Sequence, residues 1–160
     1  MHLSHSRGFT IVELITIMII LGILAAVAIP RMNSATSFRS LEFRDKVIAV
    51  LRYAHKTATS HRRLVCVTLT ATTVTLDIDN SANKDTVCDV GLLIPGSSVA
   101  SFSTTQDGFS SSPNPAQLFF QPNGRVTSDA TGTTDTNFDN SVDGSRVVVW
   151  GATGYIGDGS

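Results

Sequence analysis

The chain has 160 residues and a formal net charge of −1, a length that fits a single ordinary domain. Its 42% hydrophobic content excludes a disordered chain, and its 12 Gly and 2 Cys exclude collagen-like and cysteine-scaffold classes. The charge is unevenly distributed, because residues 31–63 carry eight Lys and Arg against two acids, a net +6. Residues 64–160 carry three Lys and Arg against ten Asp, a net −7. The near-neutral total therefore hides a basic region followed by an acidic one.

The N-terminus consists of a short leader, residues 1–8, and a mostly apolar segment, residues 9–29. At about 1.5 Å per residue, a helix of this length matches the thickness of a bilayer core of about 30 Å. Three interpretations fit the segment: a secretory signal cleaved after Ala28, a plain membrane anchor, or a pilin-type helix. Only the third explains Glu13, because a carboxylate in hydrocarbon is costly and is typically functional. Cleavage between Gly8 and Phe9 places a new α-amino group one helical turn from Glu13, and the ammonium of a neighbouring subunit could pair with this carboxylate.

The residues that carry this third interpretation form a recognisable motif. Gly8-Phe9-Thr10-Ile11-Val12-Glu13-Leu14-Ile15, followed by an apolar run that ends in Ala28-Ile29-Pro30, resembles the class III signal of type IV pilins and type II secretion pseudopilins. The resemblance implies cleavage after Gly8 by a prepilin peptidase, N-methylation of Phe9, and a role for Glu13 in subunit registration during assembly.

A second helix is predicted from residue 34 to about residue 60, with an apolar stripe that packs on a sheet and basic residues on the other face. Pro30 removes a backbone hydrogen bond and predicts a kink between the two halves of one long N-terminal helix. We expect the basic face to be solvated or to meet acidic surfaces of neighbouring subunits. DNA contact is the alternative, since clustered Lys and Arg supply phosphate contacts.

The remainder is predicted to be β-rich, with residues 64–70 and 73–78 forming a hairpin. Residues 97–115 and 128–144, rich in Ser, Thr, Asn and Asp, are predicted to be long exposed loops. Further strands are predicted at residues 90–94, 99–103, 117–121, 124–127, 146–150 and 153–156.

Short motifs in this region carry a second resemblance. Phe119-Phe120-Gln121-Pro122-Asn123-Gly124-Arg125-Val126, Arg146-Val147-Val148-Val149-Trp150 and Gly154-Tyr155-Ile156 are similar to the C-terminal domain shared by the type II secretion pseudopilin H and FimT-like minor pilins. This resemblance implies a low-abundance subunit near a filament tip or in an initiating complex.

Cys66 and Cys88 are the two cysteines of the chain, and a disulfide between them would stabilise the fold by about 3 kcal/mol. The alternative is one buried cysteine and an unrelated loop cysteine. Asp135, Asn137 and Asp139 begin like a calcium loop, but Asn140 replaces the turn glycine and Arg146 replaces the bidentate Glu. We therefore expect no metal, no cofactor and, in the absence of any catalytic motif, no enzymatic activity.

Together these features predict an α+β, type IV pilin-like fold, in which a long N-terminal helix packs on an antiparallel β-sheet domain. The predicted divisions are the leader 1–8, the transmembrane and filament-core helix 9–29, the amphipathic half 30–63 and the β-rich region 64–160. The predicted function is that of a minor pilin or pseudopilin of a type II secretion system, a type IV pilus or an MSHA-type pilus. A FimT-like DNA-binding minor pilin is the alternative.

The expected partners are a prepilin peptidase, other pilin subunits and an inner-membrane assembly platform. The expected location is the bacterial inner membrane, with a single pass and a periplasmic C-terminal domain, and later the filament.

Overall fold

A computed structural model describes residues 9–32, 35–82, 86–103, 116–142 and 144–159. The leader residues 1–8, including Gly8, lie outside the described residues. The chain divides into two compact units, Met1–Thr36 and Ser37–Ser160.

The first unit contains helix α1 (Ile11–Met32). Thr10 caps its start: the Thr10 Oγ1 accepts a hydrogen bond from the Glu13 N–H at 3.3 Å, and the Thr10 carbonyl accepts one from the Leu14 N–H at 3.2 Å. The helix continues through Pro30, so it is not broken there, and the predicted kink stays a prediction. Within the described residues, no helix combines the length and the apolar character that crossing a membrane requires. The side chains of α1 are described as far as residue 25.

The second unit contains all but the first two residues of helix α2 (Ala35–His61), whose bounds agree with the prediction for residues 34–60. Its buried side chains recur at helical spacing and pack against the strands in one continuous core. Leu41, predicted to lie in this stripe, is exposed instead. The buried apolar residues of α2 are Phe43, Val47, Ile48, Val50, Leu51, Ala54 and Ala58.

In the described part of the chain, nine strands form two antiparallel sheets, and the α+β fold predicted from the sequence is confirmed. The first sheet has the order β3-β2-β1-β5-β6, and β4 also pairs with β2. Central strand β1 is buried along almost its whole length between β2 and β5. The strands of this sheet are β1 (Val65–Leu69), β2 (Thr73–Ile78), β3 (Val90–Gly91), β4 (Ser101–Ser103), β5 (Ala116–Phe120) and β6 (Val126–Thr127).

The second sheet has the order β7-β8-β9, formed by β7 (Asn137–Val142), β8 (Ser145–Trp150) and β9 (Tyr155–Gly157). The Val126 N–H donates to the Gly151 carbonyl, and the Thr136 N–H donates to the Val126 carbonyl. These hydrogen bonds hold one end of the second sheet beside β6. The prediction of a loop over residues 128–144 is wrong where β7 lies. Alternate residues of β7 point into the core, and Asn140 occupies one of those inward positions. A polar residue there breaks the apolar alternation by which a strand is recognised.

The predicted hairpin of β1 and β2 is confirmed, with Val67 opposite Leu76 in the register. The disulfide between Cys66 and Cys88 is also confirmed. It joins buried β1 to the connection between β2 and β3, and thereby fixes that connection against the sheet.

Candidate functional site

The first candidate site is the start of α1. Phe9 and Thr10 are not helical, and Phe9 is 75% exposed. Glu13 stands in the first turn of the helix, where the N-terminal end of the helix dipole favours a negative charge. The predicted processing position is therefore followed at once by a capped helix whose first turn carries the one acid of α1.

Most side chains of α1 around this carboxylate are apolar, and its polar neighbours along the helix are Thr10 and Thr16. All residues from 9 to 25 are exposed, and the apolar ones among them include Ile11, Met18 and Leu24, each at least 60% exposed. A helix that is apolar around its whole circumference normally lies in lipid or in a protein interior. Up to residue 25, the apolar side chains of α1 are left uncovered.

The second candidate site is the basic face of α2, and here the prediction of a solvated face is wrong in part. Arg52 donates from Nε and Nη2 to the carbonyl oxygen of Ile156 at 3.1 and 3.0 Å. Arg63 donates to the carbonyl oxygen of Ser81 at 2.5 Å and lies 4.0 Å from the buried carboxylate of Asp79. These guanidinium groups attach α2 and the segment after it to the β-strand region, so the nitrogen atoms named here already have acceptors.

Arg44 and His55 contribute to the same attachment. Arg44 donates from Nε to the carbonyl oxygen of Arg146 at 3.1 Å and lies 3.5 Å from the carboxylate of Asp158. His55 Nε2 lies 2.9 Å from the carbonyl oxygen of Gly124, and the imidazole must donate the proton because a carbonyl only accepts.

Gly154 has a positive φ of 68° and packs directly against this ring. A Cβ at Gly154 would meet His55 Nε2 and the carbonyl oxygen of Gly124, so a glycine is required at this junction. The sequence motifs around Gly124 and Gly154 thus meet at α2. Sequence reasoning missed this contact, because His55 is 69 residues from Gly124 and further still from Gly154 along the chain.

The candidate calcium ligands are engaged by three different partners. Asp135 pairs with Arg125 at 2.6 Å, Asn137 Oδ1 accepts a hydrogen bond from the Gly151 N–H at 3.0 Å, and Asp139 accepts one from Arg146 Nε at 3.2 Å. The hydrogen bond from Arg146 lowers the pKa of Asp139. Asn137 and Asp139 belong to strand β7 and not to a loop, which corrects the calcium-loop interpretation. Among the described residues, no three His, Cys, Asp or Glu side chains converge on a metal position.

Comparison with known proteins identifies the N-terminal motif. Residues 3–29 match the family model described as the prokaryotic N-terminal methylation motif, a range that contains Gly8, Phe9 and Glu13. The match indicates a type IV pilin-like protein that is processed as a prepilin and assembles with other pilins. The chain has no significant match to a curated protein or to a solved structure.

Proposed function

We propose that this protein is a minor pilin or pseudopilin, a structural subunit with no enzymatic activity. A prepilin peptidase cleaves the precursor between Gly8 and Phe9 and methylates Phe9. The observation that carries the proposal is α1, a capped helix with exposed apolar side chains that begins two residues after the cleavage position. The methylation motif at residues 3–29 supports the same assignment.

The apolar surface of α1 is covered in succession by two environments in this proposal. In the precursor, residues 9–29 are held in the inner membrane with the C-terminal unit in the periplasm. An inner-membrane assembly platform then transfers the subunit to the filament of a type II secretion system, a type IV pilus or an MSHA-type pilus. There, the same side chains contact the helices of neighbouring subunits. The disulfide between Cys66 and Cys88 supports this location, since such bonds persist in oxidising compartments.

Glu13 is the assembly residue in this proposal. Its carboxylate stands one turn from the mature amino terminus, and the ammonium group of a neighbouring subunit neutralises it in the dry filament core. A subunit in the wrong register leaves both charges unpaired. Pairing therefore selects the correct register during assembly.

Mass spectrometry of the mature protein tests the processing step. The expected mass corresponds to loss of residues 1–8 and one added methyl group on Phe9. Cleavage after Ala28 would instead establish a secreted domain, and an intact N-terminus would contradict processing altogether.

A matched pair of substitutions tests the assembly step. Glu13→Gln removes the charge in α1, and Glu42→Gln makes the same change at an exposed position of α2. We expect both variants to be cleaved normally, whereas only Glu13→Gln is depleted from the filament fraction relative to the membrane fraction. Equal incorporation of the two variants would disprove the registration role.

The alternative is a FimT-like minor pilin that binds DNA during uptake. The observation in its favour is that Lys56 and Arg62 are exposed at the C-terminal end of α2 and pair with no acid among the described residues. Duplex binding that weakens steeply with salt and disappears in a Lys56→Gln, Arg62→Gln double variant would support it. The structural role needs no such binding.

A further inference from the structure

A groove in the second unit lies between α2 and the residues that follow β9, and its volume is about 280 Å³. The α2 residues that line it are one or three positions apart along the helix, so they share one face of it. The groove is lined by Arg44, Asp45, Ile48, Ala49 and Arg52 of α2 and by Asp158. Its walls therefore combine basic, acidic and apolar side chains.

The guanidinium group of Arg52 is held at one end of this groove with one of its edges unused. Its Nε and Nη2 atoms donate to the carbonyl oxygen of Ile156, which occupies the edge between them. The edge formed by Nη1 and the second N–H of Nη2, which we call the free edge, has no acceptor among the residues that the structure describes. Because the Ile156 carbonyl fixes the plane of the group, the free edge presents two parallel N–H donors in a set direction.

The shape of the free edge indicates which chemical group it binds. Two parallel N–H donors of a guanidinium match the two oxygen atoms of a carboxylate and form a bidentate, charge-assisted pair with them. Ile48 and Ala49 precede Arg52 by four and three positions, so they line the groove beside the guanidinium. Their apolar surface suits the methylene groups that carry a carboxylate. The groove therefore has the chemistry to hold a carboxylate on a short aliphatic chain.

The other charges of the groove favour one negative charge over several. Arg44 lies 2.9 Å from the carboxylate of Asp45 and 3.5 Å from that of Asp158. These three residues together carry a single net negative charge, which Arg52 balances. A phosphate dianion, or the closely spaced phosphates of a nucleic acid, would meet the two carboxylates with more repulsion than a single carboxylate does. The groove is therefore a poor site for phosphate.

We propose that the free edge of Arg52 binds the side chain of a glutamate or aspartate of a different pilin subunit. The groove volume lies just below the roughly 300 to 1,000 Å³ of pockets that enclose a small-molecule ligand, so it fits one side chain better than a whole ligand. The inference rests on the proposed function, because a minor subunit is outnumbered in a filament and its neighbours there are subunits of other kinds. Arginine is also among the residues that contribute most to protein interfaces.

A substitution in the groove tests the chemistry without removing the hydrogen bonds of Arg52. Ala49 is exposed, and Ala49→Glu places a carboxylate three positions before Arg52, where it competes for the free edge. Ala49→Gln is the matched neutral control. The full chain is prepared in detergent micelles, and the guanidinium signals of Arg52 are followed by NMR while sodium propionate replaces sodium chloride at constant ionic strength.

We expect propionate to shift the Arg52 signals in a saturable manner in the parent and in Ala49→Gln. The dissociation constant should be about three-fold higher or more in Ala49→Glu, which adds a competing pair and repels the ligand. Arg62, an exposed arginine outside the groove, is the internal control in the same spectra. An equal response of Arg52 and Arg62 would overturn the inference, and so would tighter binding of inorganic phosphate than of propionate.

A second arm identifies the source of the carboxylate. A photo-reactive phenylalanine derivative replaces Lys56, one helical turn beyond Arg52, in the full chain in membranes of cells that make the filament. Mass spectrometry then identifies the cross-linked peptides. We expect a peptide of a different pilin subunit that contains Asp or Glu, with a yield that falls in the Ala49→Glu background and not in Ala49→Gln. Replacement of that acid by its amide in the partner should lower the yield in the same way.

Three results of the second arm would overturn the inference: no adduct, an adduct only with this chain itself or with a protein that is not a pilin, and a yield that does not depend on residue 49. The mass of the same samples separates this contact from the proposed function. A chain cleaved after Gly8 that gives no adduct rejects the contact alone, whereas an uncleaved chain rejects the proposed function.

Discussion

The two helices differ in how their apolar side chains are covered. α1 leaves its apolar side chains exposed as far as residue 25, and Glu13 is the one acid among them. α2 buries a stripe that includes Val47 and Leu51 against its own sheets, and side chains such as Arg52 attach it there. The second unit therefore has a core of its own, whereas the described side chains of α1 belong to no such core. Substitutions at the contacts of α2 should therefore lower the free energy of unfolding of the second unit, whereas a substitution in α1 should leave it unchanged.

The largest expected effect on the free energy of unfolding comes from a glycine substitution in the second unit, compared with a matched glycine substitution in α1. Gly154→Ala places a methyl group against His55 and the backbone of Gly124 at a positive φ, so we expect the free energy of unfolding of the second unit to fall by about 3 kcal/mol or more. Gly22→Ala in α1 meets nothing within 4 Å and should leave that free energy unchanged. Urea unfolding of the full chain, followed by the fluorescence of Trp150, measures both. Tolerance of Gly154→Ala would contradict the tight contact between α2 and the sheet.

The next effect distinguishes two cations on α2. Arg52→Gln removes the two hydrogen bonds to the Ile156 carbonyl and should lower the free energy of unfolding by about 1 kcal/mol. Lys56→Gln changes an exposed cation with no partner among the described residues and should stay within about 0.5 kcal/mol of the parent. Equal losses in the two variants would show that the basic face acts as one solvated surface after all.

The periodicity of α2, the hairpin of β1 and β2 and the disulfide were predictable, because apolar spacing, turn residues and cysteine count are local signals. β7 was not, because Asn140 stands at an inward position and interrupts the alternation between Phe138 and Val142. The role of Arg52 was not predictable either. Its acceptor is a backbone carbonyl 104 residues away. Every residue has such a carbonyl, so the residue type does not indicate which one accepts the hydrogen bond.

A smaller, stabilising effect is expected at the C-terminal end of α2. Arg62 has a positive φ of 52°, and the Arg63 N–H donates to the Ala58 carbonyl at 3.1 Å, which closes the helix with a left-handed residue. Arg62→Gly removes the strain of a side chain in that conformation and should raise the free energy of unfolding of the second unit by about 0.5 to 1 kcal/mol. The same urea titration measures it. A loss of stability would mean that the Arg62 side chain contributes a contact worth more than the strain.

The smallest expected effect is a pH dependence of the free energy of unfolding of the second unit, which we attribute to a carboxyl group in the loop before β7. Hydrogen bonds from the Thr131 hydroxyl and from the Thr133 and Thr134 N–H groups lower the pKa of Asp129 well below its usual range. A carboxyl whose pKa is lower in the folded state stabilises the fold above its unfolded pKa of about 3.9, and this contribution is lost as the pH falls through the folded value. Asp129→Asn should therefore lower the free energy of unfolding at neutral pH, and its difference from the parent should shrink progressively below about pH 4. Urea titrations at a series of pH values measure the difference, with Glu42→Gln as an exposed control. A difference for Asp129→Asn that stays constant down to low pH would show that the carboxylate charge is not what the three donors stabilise.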